Sequence, residues 1–415
     1  MRIFNVVIVS ILLLLSLGYT NCSGNMHAAG ILGSKSHSSV SPSLGATPVP
    51  TPPNYIAASN TTPITLSGSP YFNAPTVTLT LCTPGTNTCV DVPNVLLDTG
   101  SHGLRVFSSL LTAIAPVPVL IAGKQLAECY EYYDGTYGDW GPVKKVDVRI
   151  GTETAPSVPV QMIESTFPGI PTSCKGPDTD PSQLGFNGII GVGVMGADCG
   201  PSCVTQTNLN MYYGCTGTSC TGTTVPLASQ VTNPISMMPI DNNGLIVKMP
   251  DISDSGAMIV TGQLVLGIGT QSNNAANGVT VLPTDQFGYF KTSINGTSYS
   301  AQAFDSGTSS NSLSTAAGIT SCTTSQLSGF LCPASPQNMS ITNLGVSGSP
   351  VRPDSIQVAN AESLVSSSFV NYKNITDVNT IGVVLWGMPF FYGRSIYIGI
   401  EGKTTSVGQG PFWAY

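Results

Sequence analysis

One short motif occurs twice in this chain, and it constrains the fold more than any other feature. An apolar strand runs into Asp98-Thr99-Gly100-Ser101, and a second apolar strand runs into Asp305-Ser306-Gly307-Thr308. A single Asp-Thr-Gly sequence is an ordinary turn, because its residue types all favour turns. Two copies far apart in one chain indicate the halves of a duplicated fold. We therefore expect the two turns to meet and to place Asp98 and Asp305 at one site.

Two facing carboxyl groups form an acid–base pair. Like charges at contact distance do not readily ionise together, so the pair holds one proton between them. The ionised member can take a proton from a water molecule that attacks a carbonyl group, and the protonated member can protonate the leaving group. Glycine lets the turns approach each other, and the small hydroxyl residues are expected to hydrogen-bond locally. The residues predicted to support the pair are Thr99, Gly100, Ser101, Ser306, Gly307 and Thr308, with Ser101 and Thr308 orienting the carboxylates.

Further motifs follow in an order that resembles the pepsin-like aspartic proteases, from about residue 63 to residue 415. In that family a hairpin called the flap follows the first motif and carries a tyrosine. Tyr132-Tyr133-Asp134-Gly135-Thr136 occupies this place, and Tyr132 is the best match to the flap tyrosine. The family also places an apolar pair and a glycine behind each active-site turn. This chain has Ile189-Ile190-Gly191 and Leu385-Trp386-Gly387 in those places.

The resemblance implies an all-β, bilobal fold, in which two related β-barrel-like lobes enclose an active-site cleft. It implies that Asp98 and Asp305 are the catalytic pair of an aspartic endopeptidase. Tyr132, Asp134 and Gly135 would belong to a flap that closes over the substrate. The substrate would be a polypeptide in extended conformation, bound through its backbone, and acidic pH would favour its hydrolysis. Neither a cofactor nor a metal is expected, and the protein is expected to be a monomer.

The segments 98–105 and 241–244 further resemble a bacterial group of exported pepsin-like proteins. The chain departs from the pepsin pattern at Arg105, where the family commonly has a tryptophan bonded to the flap tyrosine. Two interpretations of Arg105 remain open. Its guanidinium points towards the aspartates and favours their ionised forms, or it lies at the surface or pairs with a structural acid. Met388 stands where pepsins often have an aspartate, and His102 is predicted to be a surface residue rather than a base.

Two other functions compete with peptide hydrolysis. A catalytically silent pepsin-like module would bind a polypeptide or a glycan at the cell surface. Both aspartates are retained, which speaks against this function, but the altered surroundings of the flap and the lack of a basic inhibitory segment in residues 23–60 favour it. A purely structural envelope lipoprotein would explain an N-terminal tether but not the two motifs.

The composition is typical of a β-rich secreted protein. Only 8% of the residues are charged, glycine and proline number 45 and 31, and short strands rich in Val, Thr and Ile alternate with turns. The net charge is −7 and no basic run occurs, which argues against nucleic acid as a partner. The three histidines lie at positions 27, 37 and 102, which argues against a hydrolase built on histidine.

The N-terminus is predicted to be an export signal, residues 1–22, whose apolar stretch is short for a membrane-spanning helix. A flexible tether rich in Ser, Pro and Gly is expected at 23–59, the first lobe at 60–232 and the second lobe at 233–415. Cys22 is a candidate for lipidation, which would tether the protein to the cell envelope. The residues before it, Tyr19-Thr20-Asn21, match a lipidation signal poorly, so a soluble secreted form stays equally open.

Eleven cysteines also indicate export, because disulfides persist in oxidising compartments. Without Cys22 an even number remains, and the expected pairs are Cys82–Cys89, Cys129–Cys174, Cys199–Cys203, Cys215–Cys220 and Cys322–Cys332. The sequence does not determine connectivity, so other pairings stay open. The group Cys199, Cys203, Cys215 and Cys220 is a weak alternative zinc site, because it lacks Cys-x-x-Cys spacing and a nearby histidine.

Overall fold

The computed structural model describes residues 58–68, 71–132, 138–175, 178–379 and 383–415. The predicted signal peptide, Cys22 and the tether up to residue 57 lie outside these residues. Within them, no helix is long and apolar enough to cross a membrane. Strands dominate because apolar and polar residues alternate over short segments. In Thr61–Leu66, for example, Ile64 and Leu66 are buried and Thr65 between them is exposed.

The elements are short and follow one another closely. The first half contains β1 Thr61–Leu66, β2 Thr76–Cys82, β3 Cys89–Asp98, β4 His102–Phe107, β5 Val117–Pro118, β6 Leu120–Ile121, β7 Lys124–Glu131, β8 Gly138–Ile150, β9 Glu153–Ile163, α1 Pro181–Leu184, β10 Gly188–Val192, α2 Pro201–Thr205, β11 Tyr212–Thr216 and β12 Ser219–Gly222. The second half contains β13 Gly244–Lys248, β14 Val260–Leu266, β15 Val281–Pro283, β16 Phe290–Ile294, β17 Thr297–Asp305, β18 Asn311–Leu313, β19 Gln337–Leu344, β20 Val351–Val358, α3 Ala361–Val365, β21 Thr376–Val378, β22 Val384–Gly387, α4 Met388–Phe391, β23 Ser395–Gly399, β24 Thr404–Thr405, β25 Gly408–Gln409 and β26 Phe412–Ala414. Single 3₁₀ turns occur at Ser108–Leu111, Leu227–Ser229, Pro234–Met237 and Ser325–Leu327.

Each half of the chain carries the same three-strand arrangement around its aspartate. In the first half β3, which ends at Asp98, runs parallel to β10, and β10 runs antiparallel to β4. In the second half β17, which ends at Asp305, runs parallel to β22, and β22 runs antiparallel to β18. The register is also the same, since Asp98 lies opposite Gly191 and Asp305 lies opposite Gly387. The duplication predicted from the two motifs is therefore a property of the fold.

A shared antiparallel sheet joins the two halves. β1, at the start of the first half, pairs along its whole length with β14, so that Thr61 lies opposite Val265. β14 continues the sheet through β13, β23, β26 and β15. The two aspartate turns meet between the halves, where the side chain of Thr99 bonds to the backbone of Phe304. This arrangement confirms the predicted all-β, bilobal, pepsin-like fold.

An aromatic cluster packs behind the second aspartate turn. Phe304, the residue before Asp305, is fully buried, and its ring stacks on Phe290 and Phe390 at centroid distances of 4.9 and 5.1 Å. Trp413 meets the same ring edge-on at 5.6 Å. Close packing on several sides leaves the end of β17 little freedom. The position of the second carboxyl group is therefore set by the aromatic core.

The five predicted disulfides all form, which settles the connectivity that the sequence left open. They are Cys82–Cys89, Cys129–Cys174, Cys199–Cys203, Cys215–Cys220 and Cys322–Cys332. The four cysteines of the alternative zinc site are all held in these bonds, so they offer no thiolate to a metal. Five disulfides are compatible with an extracellular protein.

Candidate active site

A glycine lies directly behind each aspartate turn, on the neighbouring parallel strand. A Cβ atom at Gly191 would stand 2.5 Å from the backbone nitrogen of His102. A Cβ atom at Gly387 would stand 2.0 Å from the carbonyl oxygen of Ser310. Both distances are far below van der Waals contact, so a larger residue would displace the backbone of the turn. The apolar-apolar-glycine segments therefore lie behind the turns, as their sequence positions predicted.

The two turns are tied to each other by their hydroxyl residues. Thr99 Oγ1 donates to the carbonyl of Phe304 at 2.8 Å and accepts the backbone N–H of Ser306 at 2.9 Å. Ser306 Oγ donates to the carbonyl of Leu97 at 2.6 Å and accepts the backbone N–H of Thr99 at 3.1 Å. For Thr99 and Ser306 the expectation of local hydrogen bonds is wrong, because each of these two hydroxyls bonds to the other half of the chain. Four buried bonds thus set the spacing between the turns.

The glycine of each turn lies against the carboxyl group of the other turn. A Cβ atom at Gly100 would stand 2.5 Å from Asp305 Cγ, and one at Gly307 would stand 2.8 Å from Asp98 Oδ1. Each glycine also donates its own N–H to the carboxylate of its own turn, at 2.8 Å for Asp98 and 2.9 Å for Asp305. Both aspartate side chains are fully buried. The absence of a side chain at Gly100 and Gly307 therefore lets the two carboxyl groups face each other.

The two carboxyl groups differ in their hydrogen bonds. Thr308 donates its hydroxyl to Asp305 Oδ2 at 2.7 Å and its backbone N–H to Oδ1 at 3.2 Å. Asp98 Oδ2 is buried and makes no hydrogen bond within the described part of the chain, and the same holds for Ser101 Oγ. Thr308 is thus in place to orient its carboxylate, whereas the Ser101 hydroxyl completes no such bond. One oxygen of Asp98 is left as a free acceptor at the centre of the site.

The surroundings of the pair favour a single shared proton. Burial raises the pKa of Asp305 well above its usual range, and the charge of Asp98 raises it further. Burial also raises the pKa of Asp98, and the backbone N–H that Gly100 donates to this carboxylate lowers the pKa in part. A buried pair of this kind does not carry two negative charges readily. We therefore place the proton on Asp305 and the charge on Asp98.

A hairpin formed by β7 and β8 carries the tyrosines predicted for the flap. Tyr130 of β7 lies opposite Asp139 of β8. Tyr132 is buried just after β7, and its hydroxyl donates to the carboxylate of Asp139. The predicted flap residues Asp134 and Gly135 lie outside the described residues. The described part of the hairpin thus ends with the Tyr132 hydroxyl bonded to an acid of the neighbouring strand.

Arg105 is fully buried and pairs with two acids. One guanidinium nitrogen lies 3.0 Å from Glu128 Oε1 and 2.7 Å from Asp198 Oδ2. The other donates to the carbonyl of His102 at 2.8 Å, and the guanidinium carbon lies 3.2 Å from the ring centroid of Tyr130. The prediction that Arg105 lies at the surface is therefore wrong. The structure supports the alternative that Arg105 pairs with structural acids. None of these hydrogen bonds reaches the aspartate pair.

The sequence did not predict that three residues gather around Arg105: Glu128, Tyr130 and Asp198. A signal was present for two of them, because side chains alternate across a strand. Glu128 and Tyr130 therefore share one face of β7, and a buried acid on a strand needs a partner. Asp198 follows β10 in a loop, and its sequence position gave no indication of this contact.

His102 and Met388, for which the sequence gave predictions, both lie close to the aspartate turns. His102 is half-buried against Gly193, where a Cβ atom would stand 2.6 Å from the ring nitrogen Nε2. Burial and the charge of Arg105 lower the pKa of His102 to about 3, so the imidazole is neutral. Met388 is buried at the start of α4, and its N–H donates to the carbonyl of Thr308 at 2.8 Å. Met388 thus supports the second turn through its backbone.

Comparisons with known proteins give a family and a likeness to solved structures. The family model described as "Protein of unknown function (DUF3443)" matches residues 56–415. A search of the curated proteins found no match. Among solved structures, an aspartic proteinase from Irpex lacteus is similar at 16% sequence identity, covering 85% of this chain and 96% of that chain with a TM-score of 0.47.

Proposed function

The chain belongs to the family described as "Protein of unknown function (DUF3443)", and we propose that it is an aspartic endopeptidase. One observation carries the proposal: Asp98 and Asp305 face each other at the ends of equivalent strands, and Thr99 and Ser306 lock the two turns together. A buried pair with one shared proton has both an acid and a base ready for hydrolysis. No other described residue is needed for the chemistry.

The proposed reaction uses one water molecule. Ionised Asp98 takes a proton from the water as its oxygen attacks the carbonyl carbon of a peptide bond, and Asp305 gives its proton to the carbonyl oxygen. The product is a neutral tetrahedral diol, with the shared proton now on Asp98. As the carbon–nitrogen bond breaks, the amine nitrogen takes the proton from Asp98, and a diol hydroxyl returns a proton to Asp305. The pair ends as it began.

The substrate that fits this proposal is a polypeptide in extended conformation, bound between the lobes through its backbone. Acidic pH should favour cleavage, because Asp305 must keep its proton while Asp98 loses its own.

We also propose that the protein is exported and monomeric, as in the bacterial pepsin-like group that it resembles, without nucleic acid as a partner. Five disulfides support export. Cys22 would anchor a lipidated form, and cleavage of the signal without lipidation would release a secreted form.

A catalytically silent binding module is the second candidate. The observation that favours it is the complete burial of both aspartate side chains, because a peptide carbonyl must reach them before hydrolysis. Such a module would hold a polypeptide or a glycan between the lobes without cutting it. The altered surroundings of the flap, with Arg105 in place of an aromatic residue, point the same way.

A cleavage assay separates the two candidates. The purified protein is incubated with a mixed peptide library from about pH 3 to pH 7, beside the variants Asp98→Asn and Asp305→Asn and with a statine-type transition-state mimic as inhibitor. Cleavage that each substitution and the mimic abolish would establish the endopeptidase. A folded wild-type protein that cuts no peptide at any pH would favour the binding module.

A further inference from the structure

A polar cavity opens at the surface of the second half, between strand β20, helix α4 and residues 373–374. Its volume is about 180 Å³. A cavity can hold one water molecule from about 10–15 Å³ upwards, so this one has room for a small organic molecule. The residues of the two aspartate turns are not among those that line it. The cavity is therefore separate from the candidate active site.

Asn311 forms part of the cavity wall and offers a free hydrogen-bond acceptor. It is the first residue of β18, where its backbone N–H donates to the carbonyl of Ile375 at 3.1 Å, and it is only 1% exposed. Its side-chain Oδ1 is buried and makes no hydrogen bond to any residue that the structure describes. A buried acceptor without a partner is unfavourable. A molecule that donates a hydrogen bond inside the cavity would satisfy it.

Two cations line the cavity, and both are already neutralised. Lys373 Nζ lies 3.1 Å from Asp251 Oδ1 and 3.0 Å from Asp254 Oδ1. Arg394 Nη2 lies 3.0 and 3.1 Å from the two carboxylate oxygens of Asp354. An anionic ligand would have to compete with these carboxylates, and a cationic ligand would be repelled by Lys373 and Arg394. The charges around the cavity therefore favour a neutral ligand.

The rest of the wall is part amide and part apolar. The side chain of Asn374 donates to Gln357 Oε1 at 2.9 Å, which fixes these two amides against each other. Ile356 and Pro389 add a buried apolar surface. The exposed residue Ser355 lies at the mouth, so the cavity is open to solvent. Such a wall suits a molecule that carries polar groups on its edge and C–H groups on its face.

We propose that this cavity is a binding site for a single neutral sugar ring, one hydroxyl of which donates to Asn311 Oδ1. A sugar hydroxyl both donates and accepts, so it can pair with amides and with charged groups alike. The C–H face of the ring would pack on Ile356 and Pro389. This inference goes beyond the proposed function, because binding of a sugar here does not depend on peptide cleavage.

The chemical class of the ligand is tested with matched probes. The purified protein is titrated at about pH 6 with glucose, galactose and mannose, and with glucosamine and glucuronate as cationic and anionic analogues of glucose. Binding is followed by ligand-observed NMR. We expect a neutral sugar to bind, and the charged analogues to bind about tenfold more weakly. The proposal is overturned if no neutral sugar binds, or if a charged analogue binds at least as tightly as every neutral sugar.

The location of the site is tested by substitution. Asn311→Leu removes the acceptor with little change of size, and we expect about tenfold weaker binding of the sugar. Ser355→Tyr places a large side chain at the mouth and should abolish binding. Ser298→Tyr is the matched control, since Ser298 is an exposed serine on β17 of the same sheet and does not line the cavity. It should bind as the wild type does.

Each result has a defined meaning once the melting temperature shows that the variant is folded. Wild-type affinity in Asn311→Leu overturns the role of the acceptor, and wild-type affinity in Ser355→Tyr overturns the site. If Asn311→Leu does not fold, Ser355→Tyr still decides, because its change lies at the surface.

A second pair of measurements separates this site from the cleft between the lobes. Asp98→Asn should bind the sugar as tightly as the wild type, whether or not the wild type cleaves peptides. Loss of sugar binding in Asp98→Asn would place the sugar in the cleft and overturn the proposal. An oligosaccharide that ends in the same sugar is titrated in parallel. Tighter binding of the oligosaccharide identifies a glycan as the source of the ring, and equal binding identifies the free sugar.

Discussion

Thr99 and Ser306 lie 207 residues apart in the chain, and each donates its backbone N–H to the side-chain oxygen of the other, at 3.1 and 2.9 Å. Their hydroxyls then bond to the strand that precedes the opposite turn. The contact joins the two halves at the point where the two carboxyl groups meet. Stability and the geometry of the candidate site therefore depend on the same four hydrogen bonds.

Replacing Thr99 with valine should lower the stability of the protein and disturb the geometry of the candidate site. The variant loses a hydroxyl that donates one buried bond and accepts another, so unfolding free energy should fall by about 1–3 kcal/mol in urea titration. Thr76→Val is the control, because the Thr76 hydroxyl bonds only to the carbonyl of Thr65 on an exposed strand face. A Thr99→Val protein as stable as Thr76→Val would show that the cross-linking bonds contribute little.

Gly100→Ala should remove cleavage altogether. The added Cβ atom would stand 2.5 Å from Asp305 Cγ, so the two carboxyl groups would be pushed out of their facing arrangement. Gly196→Ala is the control, since its Cβ atom would meet neighbouring atoms only at 3.7 Å and beyond. Peptide cleavage by the two purified variants is compared with the wild type. Wild-type activity in Gly100→Ala would contradict the direct facing of the carboxyl groups.

Folding stability should fall as the pH rises from about 4 to about 8. Burial raises the pKa of Asp139 to about 6 and that of neighbouring Asp178 to about 8. In this pH range the folded protein keeps protons that the unfolded chain has lost, so the free energy of unfolding decreases with pH. Each such carboxyl group contributes about 1.4 kcal/mol per pH unit while only the folded form is protonated.

Urea titrations at several pH values measure this slope. Asp178→Asn removes one of the two carboxyl groups and should make the slope shallower. Thr76→Val removes no titratable group and should leave the slope unchanged. Stability that rises between pH 5 and pH 8 in the wild type would contradict the proposed protonation of the buried acids.

Phe304→Ala should destabilise the second half and impair the site at the same time. The ring is fully buried and packs against four other rings at centroid distances of 4.9 to 5.6 Å, so about 3–5 kcal/mol of unfolding free energy should be lost. Phe369→Ala, at a partly buried position in a smaller cluster, should cost less. Thermal unfolding compares the two variants. An equal loss of stability in Phe304→Ala and Phe369→Ala would show that the aromatic cluster has no special role behind Asp305.

Features carried by neighbouring residues were predictable from the sequence. The two motifs indicated a duplicated β fold, because Asp-Thr-Gly after an apolar strand has few structural uses in duplicate. The glycines at 191 and 387 were placed correctly behind the turns, since the order of motifs fixes which strand follows which. Four of the five disulfides join cysteines within ten residues of each other, so local pairing was a sound expectation.

The contacts that shape the site were decided by the tertiary structure. Arg105 meets Glu128 and Asp198 from 23 and 93 residues away, and Thr99 meets Ser306 from the other half of the chain. Local patterns specify which face of a strand is buried, but they do not specify which distant strand packs on that face. A buried charge or hydroxyl must find its partner wherever the folded chain brings one. The sequence by itself therefore determined the pair of aspartates and the fold around them, whereas the packing of the two halves decided what holds and tunes that pair.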